Sequence, residues 1–234
     1  DYVKFQIFKA ENVVTRKAVK SNYQKKSASD RETQYQMIKK FELSFYKFKI
    51  IKKECKKNKI KFLCSPFDME SLKYLNYLKE KIIKIPSGEI TNFPLIQAIG
   101  KMNIKIIMST GMCDYKEINN AIKLLIKNGT KKKNISLLHC NTAYPTPPVD
   151  VNLSALKVIK NLFGVNIGYS DHTMGIEMPI AAVCFGAKII EKHITLNKNL
   201  PGPDHKSSLN PIEFASMVKS IRNIEKALKP FKKS

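Results

Sequence analysis

Arginine is scarce in this chain of 234 residues, although the chain is strongly basic. Only Arg16, Arg31 and Arg222 accompany the lysines among 42 basic residues, and the formal net charge is +23 at pH 7. Proteins that bind nucleic acids use arginine for bidentate contacts, and neither zinc-finger spacing nor an aromatic RNA-binding signature is present. We therefore expect no nucleic-acid partner and interpret the charge as a solvated surface that attracts small anions.

Cysteine is sparse and irregularly spaced, which argues against a disulfide framework. The five residues are Cys55, Cys64, Cys113, Cys140 and Cys184. Their number is odd, and most lie in or beside apolar runs, as reduced and buried thiols do. A catalytic thiol at Cys140 is the less favoured interpretation, because a cysteine within a strand usually belongs to the core.

Long apolar runs are also missing. No run reaches the ~20 residues that a transmembrane helix needs, and no signal peptide is visible. We expect no membrane contact and a cytoplasmic location. The hydrophobic fraction of 43% is ordinary for a globular protein, and the length suits one large core.

Short β-rich runs alternate with helical patterns along the chain, which predicts parallel βα units. The runs are Val3–Phe8, Ile60–Cys64, Ile82–Ile85, Ile104–Met108, Ile135–His139, Val165–Gly168 and Ala187–Ile190. Seven strands fit an α/β fold of the (β/α)8 TIM-barrel type that lacks its first strand in this chain. An open doubly wound sheet is the competing architecture.

Several helices carry their own start signals. Asp114 with Glu117 predicts a capping box, and Gly129 predicts the end of that helix. Asn210 followed by Pro211 predicts another helix start, and Asp68 is predicted to cap a helix that runs through Leu78. The polar segment 9–59 is predicted to be irregular, with one or two helices.

Two of the four histidines follow short apolar runs. His172 comes after Gly-Tyr-Ser-Asp and His193 after Glu-Lys, each where a buried strand is predicted to end. Because the carboxyl ends of barrel strands converge on one mouth, two imidazoles on neighbouring strands can share a divalent cation. Alternation along a strand pairs Ser170 with His172 and Glu191 with His193, while Asp171 and Lys192 face away.

Other polar residues lie on or just after the remaining predicted strands. They are Lys4, Lys84, Ser87, Ser109, Asn141, Tyr144 and Asp204. Lysines and hydroxyls at strand–helix junctions suit a phosphate or carboxylate, and Glu191 could orient a ligand or transfer a proton. Each residue alone is more often a rim charge, a turn or a structural side chain. Their joint occurrence at successive strand ends favours a site.

Taken together, these motifs resemble the sialic acid synthase family. The matching segments are Val-Lys-Phe-Gln (3–6), Ser-Pro-Phe-Asp (65–68), Lys-Ile-Pro-Ser-Gly-Glu (84–89), Ser-Thr-Gly-Met (109–112), His-Cys-Asn-Thr-Ala-Tyr-Pro-Thr-Pro (139–147), Ser-Asp-His (170–172), Glu-Lys-His (191–193) and Gly-Pro-Asp-His (202–205). Their order and spacing both agree with the family, and the resemblance covers almost the whole chain.

The resemblance implies a (β/α)8 barrel that condenses phosphoenolpyruvate with an N-acetylated mannose-type sugar. The products are a nonulosonic acid and phosphate, and a divalent cation, Mn2+ or Mg2+, assists. C3 of phosphoenolpyruvate attacks the aldehyde carbon of the sugar, water adds at C2, and phosphate leaves with C–O cleavage. Synthases for legionaminate or pseudaminate are the alternatives within this class. A basic nucleic-acid-binding protein and an inactive remnant are the alternatives outside it.

The resemblance also assigns roles to residues. His172 and His193 are implied to hold the metal, and Glu191 is implied to be a carboxylate of the catalytic site. The implied phosphoenolpyruvate-binding set is Lys4, Lys84, Ser87, Ser109 and Ser170. Tyr144 and Asp204 are implied to contact the sugar, and Asn141 is a weaker candidate for substrate binding.

Two family segments are not found within residues 1–234. We expect the family's first strand to be missing before Asp1 and its C-terminal antifreeze-like domain to be absent, which predicts poor stability and little activity for residues 1–234 alone. We therefore expect residues 1–234 to be the synthase barrel domain alone, and the full-length protein to be a homodimer.

Overall fold

The structure, a computed structural model, describes residues 1–20, 32–202 and 204–229. The chain divides into two compact units. The first comprises residues 1–108 and 113–135, and the second comprises residues 109–112 and 136–234. In both units strands and helices alternate, as the sequence pattern predicts.

Seven strands lie within the described ranges. They are β1 Tyr2–Ile7, β2 Lys61–Pro66, β3 Ile82–Ile85, β4 Lys105–Ser109, β5 Ile135–Cys140, β6 Asn166–Asp171 and β7 Ile190–Lys192. All seven predicted strands are confirmed, and β3 agrees residue for residue. The prediction for β7 began too early, because the N–H of Ala187 still donates to the carbonyl of Ala182 at the end of the preceding helix.

Nine α-helices lie within the same ranges. They are α1 Ala10–Val13, α2 Gln34–Phe41, α3 Phe45–Lys57, α4 Met69–Tyr77, α5 Phe93–Lys101, α6 Tyr115–Lys127, α7 Ala155–Phe163, α8 Glu177–Cys184 and α9 Pro211–Ala227. Segment 9–59 contains α1, α2 and α3, so the prediction of one or two helices was too low. The residues missed by that prediction include Thr33 and Gln36, which form a capping box at the start of α2.

The predicted helix caps are confirmed. Asp114 accepts from the backbone N–H of Glu117, and the Glu117 carboxylate accepts from the N–H of Asp114. Asn210 and Glu213 make the same reciprocal pair at the start of α9. Each such box pairs two donors that the first helical turn leaves unbonded. These caps fix where the helices begin, and so how long the preceding loops are.

The first unit contains two parallel strand pairs. β1 pairs with β2, with Tyr2 opposite Lys61, and β3 pairs with β4, with Ile82 opposite Lys105. Helices α5 and α6 pack closely at Gly100, where a Cβ would lie only 2.7 Å from the Cβ of Asn128. The apolar faces of these helices contribute a buried aliphatic core that includes Ile96, Ile99, Ile118, Ile122 and Leu125.

The second unit is built on β5, β6 and β7, which are parallel and pair in that order. A buried cluster of Val183, Leu209, Met217 and Ile221 joins α8, α9 and the segment before α9. Gly168 lies in the middle of β6, where an added Cβ would overlap the carbonyl oxygen of Ile189 and the side chain of Leu138. The sheet is therefore closely packed at Gly168, four residues before His172.

All five cysteines are free thiols. Cys55, Cys64 and Cys140 are buried as predicted, whereas Cys184 is exposed. Burial raises the pKa of the Cys64 thiol, which makes it a poor nucleophile at neutral pH. Among the described helices, none has the length and apolar character needed to cross a membrane.

Candidate active site

Strands β6 and β7 bring the two predicted metal ligands side by side. Ser170 lies opposite Glu191, and Asp171 lies opposite Lys192. His172 and His193 are the next residues in the same register, each one position beyond the end of its strand. The carbonyl of His193 accepts from the N–H of Leu209, which anchors the chain beyond β7.

The two imidazole rings face a common space. Their centroids are 5.5 Å apart, and their planes are inclined by 54°. His172 is buried, at 6% exposure, and His193 is partly buried. Rings at this separation and inclination can direct one nitrogen each toward a shared ligand. The structure thus brings His172 and His193 together as the sequence predicted.

The ring of Tyr144 completes an aromatic cluster with the histidines. Its centroid lies 4.1 Å from that of His172 and 6.0 Å from that of His193, edge-on to the latter. The loop that carries Tyr144 is fixed by the N–H of Thr146, which donates to the carbonyl of His172 at 2.9 Å. The Tyr144–Pro145 peptide bond is cis. Tyr144 therefore limits the rotation of the His172 ring.

The tautomer of His172 is set by a backbone contact. Its Nδ1 lies 2.6 Å from the carbonyl oxygen of Asn141. A carbonyl oxygen can only accept a hydrogen bond, so Nδ1 carries a proton, and in the neutral ring the lone pair is on Nε2. Histidines that bind metals are commonly oriented in this way by a hydrogen bond from the other ring nitrogen.

The side chain of Asn141 lies in the same loop. Its Nδ2 donates to the carbonyl of Asp150 at 2.7 Å. Its Oδ1 is buried and accepts no hydrogen bond from the part of the chain that the structure describes. A buried acceptor without a donor is costly. Oδ1 of Asn141 could therefore accept a hydrogen bond from an N–H or O–H group of a bound molecule.

Ser170 and Glu191 are paired directly across the two strands. The hydroxyl of Ser170 donates to Oε1 of Glu191 at 3.3 Å, and Ser170 is buried. Both residues lie on the side of the strands from which the histidines project. The structure thus places a hydroxyl and a carboxylate together, two residues before His172 and His193 on the same two strands.

Two charged residues that were predicted only to face away form a buried ion pair. Lys192 Nζ lies 2.5 Å from Asp171 Oδ2, and both side chains are fully buried. The hydroxyl of Tyr169 donates to Asp171 Oδ1 at 3.0 Å; burial and the nearby Asp171 carboxylate raise the pKa of Tyr169. The sequence shows opposite charges immediately before the two histidines, but that they meet follows from the register of β6 and β7.

Asp204 lies in the loop that follows β7. Its carbonyl oxygen accepts from the hydroxyls of Ser207 at 3.0 Å and Ser208 at 2.8 Å. Nearby, the ring of His205 bonds through Nδ1 to the hydroxyl of Thr195, 2.7 Å away. These contacts shape the backbone of the Gly-Pro-Asp-His segment. Pro203, the second residue of that motif, lies outside the described residues.

The predicted phosphoenolpyruvate-binding residues are distributed between the two units. Lys4 lies on β1, Lys84 on β3 and Ser87 in the turn after β3, all in the first unit. Ser109 and Ser170 belong to the second. Lys84 is only 1% exposed. A buried ammonium group is suited to a strong, charge-assisted hydrogen bond with an anion.

The donor chemistry of the histidine pair fits a divalent cation. Within residues 1–20, 32–202 and 204–229, no group of three or more histidine, cysteine, aspartate or glutamate side chains is arranged to hold a metal ion. Two neutral imidazoles, one of them oriented by the carbonyl of Asn141, would supply two ligands and leave the other positions to water or substrate oxygens. His172 and His193 are the residues that would hold such an ion.

Comparison with known proteins gives consistent likenesses. The sequence model of the NeuB family matches residues 1–233. The N,N'-diacetyllegionaminic acid synthase of Campylobacter jejuni is 51% identical over 228 residues, which are 97% of this chain and 68% of that protein. The synthase of the same name from Legionella pneumophila is 42% identical over 230 residues, covering 97% of this chain and 65% of that protein.

A solved structure shows the same likeness in three dimensions. The N-acetylneuraminic acid (sialic acid) synthetase of Leptospira borgpetersenii, in complex with citrate, superimposes with a TM-score of 0.84 at 33% identity. The match covers 100% of this chain and 76% of that chain. It confirms the predicted fold class, a (β/α) barrel of the TIM type. This chain spans about two thirds of the length of the two legionaminic acid synthases.

Proposed function

Since this chain belongs to the NeuB family, we propose that it condenses phosphoenolpyruvate with an N-acetylated mannose-type sugar. C3 of phosphoenolpyruvate forms a bond to the aldehyde carbon of the open-chain sugar. Water adds at C2, and phosphate leaves as the C2–O bond breaks. The products are a nonulosonic acid and inorganic phosphate.

The single observation that supports this proposal most strongly is the histidine pair. Two imidazoles with centroids 5.5 Å apart lie on adjacent strand ends, and one has its tautomer fixed by Asn141. A divalent cation held there by His172 and His193 would polarise a carbonyl oxygen. Mg2+ prefers oxygen ligands, whereas imidazoles are typical ligands of transition-metal ions, so Mn2+ is the ion chosen for the tests.

The neighbouring side chains have roles that follow from their positions. Glu191 lies beside Ser170, where the carboxylate can accept or return a proton during the addition steps. Tyr144 packs on the His172 ring and offers an aromatic surface and a hydroxyl to the sugar. The buried Oδ1 of Asn141 can accept a hydrogen bond from a hydroxyl or amide N–H of the substrate.

Anion binding is assigned to the lysines and serines of the predicted set. Lys84, nearly inaccessible to solvent, can donate to the phosphate or carboxylate of phosphoenolpyruvate, as can Lys4, Ser87, Ser109 and Ser170. The net charge of +23 supplies a field that attracts this trianionic substrate. Asp204 is proposed as a sugar contact from its place in the family's Gly-Pro-Asp-His motif, and Ser207 and Ser208 hold its backbone carbonyl in position.

For the acceptor sugar, the likenesses favour the legionaminate alternative. The two legionaminic acid synthases match 97% of this chain at 51% and 42% identity. Their product carries two N-acetyl groups, so the corresponding acceptor is a six-carbon aldose with two acetamido groups. An acceptor with one acetamido group, N-acetylmannosamine, would instead give N-acetylneuraminate.

The experiment is a comparison of acceptors at fixed phosphoenolpyruvate. The purified protein is incubated with Mn2+ and each candidate sugar in turn, and phosphate release is measured. We expect the highest kcat/KM with the diacetamido aldose and no phosphate release when the sugar is omitted. Phosphate release that occurs equally without a sugar would contradict the proposal. So would the absence of phosphate release with every sugar tested.

A further inference from the structure

The ion pair of Asp171 and Lys192 is built more elaborately than a surface salt bridge. The two side chains are fully buried, with Nζ and Oδ2 2.5 Å apart. Lys192 also donates to the carbonyl of Thr173 at 2.5 Å. The pair joins β6 to β7, because its two residues lie opposite each other in the parallel register.

The carboxylate of Asp171 is saturated with donors. Oδ1 accepts from the Tyr169 hydroxyl at 3.0 Å and from the Thr173 N–H at 2.9 Å. Oδ2 accepts from Lys192 and, at 3.1 Å, from the Thr173 hydroxyl. An ionised carboxylate offers about four acceptor positions, and all are used. The geometry of this group is therefore fixed from several directions.

The location of the pair matters more than its strength. Asp171 immediately precedes His172, and Lys192 immediately precedes His193. Alternation directs the ion pair to the opposite side of the strands from Ser170 and Glu191. Each histidine therefore directly follows a residue that the ion pair holds in place.

Stability alone does not account for such a pair. Desolvation opposes the Coulomb attraction of buried ions, and replacement by apolar residues of similar volume is often neutral or stabilising. In some proteins a buried polar pair specifies the register of its elements, and β7 has few other ladder contacts to do so. It is only three residues long, and its ladder with β6 has three residue pairs. A slip of one residue would move the entire β7 side-chain pattern to the other side.

We propose that Asp171 and Lys192 are positioning residues that set the relative placement of His172 and His193. This inference rests on the proposed function of the histidines as a metal pair. The ion pair fixes β7 against β6 and thereby sets the 5.5 Å separation of the two ring centroids. In this role the ion pair itself would not touch the proposed metal ion. Loss of the pair lets β7 shift, and a misplacement of about 1 Å is enough to impair a ligand constellation.

The test uses the neutral double variant D171N/K192M, which removes both charges and leaves neither ion buried alone. Its metal-free crystal structure is compared with that of the wild type. We expect the His172 and His193 rings to depart from their wild-type separation by about 1 Å or more, or to become disordered. Rings that keep their wild-type placement would overturn the proposal.

Mn2+ binding, measured by calorimetry, gives the second readout. The double variant is expected to bind about 10- to 100-fold more weakly than the wild type. If the wild type binds no Mn2+, the proposed metal pair fails, while the crystal structures still decide whether the ion pair positions the rings. Weaker binding with unmoved rings would also overturn positioning, because the effect would then be purely electrostatic.

Lys198→Met provides the matched control. Lys198 pairs with Glu213 at 2.7 Å in the same unit, but both side chains are about one third exposed. Its loss should move neither ring and leave Mn2+ affinity within about twofold, as expected for an exposed pair. If D171N/K192M does not fold, Lys192→Met alone is tested in the same two ways, because Asp171 then keeps its donors from Tyr169 and Thr173.

Discussion

Nδ1 of His172 lies 2.6 Å from the backbone oxygen of Asn141, which commits Nε2 to the role of lone-pair donor. His139 shows the opposite arrangement, since its Nε2 lies 2.7 Å from the backbone oxygen of Val151. The same kind of contact therefore places a proton on Nδ1 of His172 and on Nε2 of His139. Of these two histidines, His172 also has a second imidazole nearby, that of His193.

The two tautomers can be observed directly. In a long-range nitrogen–proton spectrum of metal-free protein at about pH 8, where imidazoles are mostly neutral, we expect His172 to be protonated at Nδ1. His139 should be protonated at Nε2 and serves as the internal reference. Addition of Mn2+ should broaden the signals of His172 and His193 first. Protonation of His172 at Nε2 in the metal-free protein would show that Asn141 does not orient the ring.

Lys84→Met should separate phosphoenolpyruvate binding from sugar binding. The variant preserves side-chain volume and removes a buried cation, so the loss of a charge-assisted contact should raise the KM for phosphoenolpyruvate about 10- to 100-fold. The KM for the sugar should change much less. Steady-state kinetics with each substrate varied in turn provide the measurement.

The control for this variant is Lys81→Met, an exposed lysine three residues earlier in the same unit. It should leave both KM values close to those of the wild type. Equal increases in the two KM values of Lys84→Met would argue against a specific role in anion binding, as would an equal effect of the control.

Gly168→Ala should destabilise the second unit. The new methyl group would overlap the carbonyl oxygen of Ile189 and the Leu138 side chain, and overpacking of this kind costs about 1–3 kcal/mol. Gly88→Ala is the control, since a Cβ there meets nothing within 4 Å, and its unfolding free energy should change by less than about 1 kcal/mol. Denaturant unfolding of the two variants measures the difference. A Gly168→Ala protein as stable as the control would mean that β6 and β7 are more loosely packed than described.

The sequence was sufficient to predict the seven strands in their order along the chain and the proximity of His172 to His193. The strands are short and apolar, with polar residues at their ends, and that signal is local. The capping boxes at Asp114 and Asn210 were equally readable, because a cap depends on residues three apart. The helices of segment 9–59 were underestimated, because α3 has lysines on most of its surface and few buried residues.

The contacts around the site could not be read from the sequence for a physical reason. That Lys192 reaches Asp171 depends on the register of β6 and β7, and the sequence shows only that both strands exist. The orientation of His172 by Asn141 depends on the path of a loop 31 residues earlier. Alternation correctly placed Asp171 and Lys192 away from the histidines, but it carried no information about what they would meet there.

Glu213 should make stability depend on pH at the start of α9. The hydrogen bond from Lys198, followed by that from the Asn210 N–H, lowers the pKa of Glu213 from its ordinary 4.5. A lowered pKa stabilises the folded state above pH 4.5, and this contribution is lost as pH falls through the folded value. Glu213→Gln should therefore have a lower Tm than the wild type at neutral pH, with the difference shrinking below about pH 4.

Glu225→Gln is the control for the loss of one carboxylate from the same helix, because Glu225 pairs with Arg222 at an exposed site. Its Tm should differ little from that of the wild type, as exposed pairs contribute little. Thermal unfolding followed by circular dichroism across the acidic range provides both curves. A Tm difference for Glu213→Gln that stays constant with pH would contradict the assigned cause.

The most direct test of the account is a Mn2+ titration of the metal-free protein and of His172→Ala and His193→Ala, followed by calorimetry. His139→Gln is included as a histidine variant outside the pair, and Tm values confirm that all variants are folded. The account predicts saturable binding of one ion by the wild type and by His139→Gln, and no measurable binding by either alanine variant. Binding of wild-type strength in a folded His172→Ala or His193→Ala protein would contradict it.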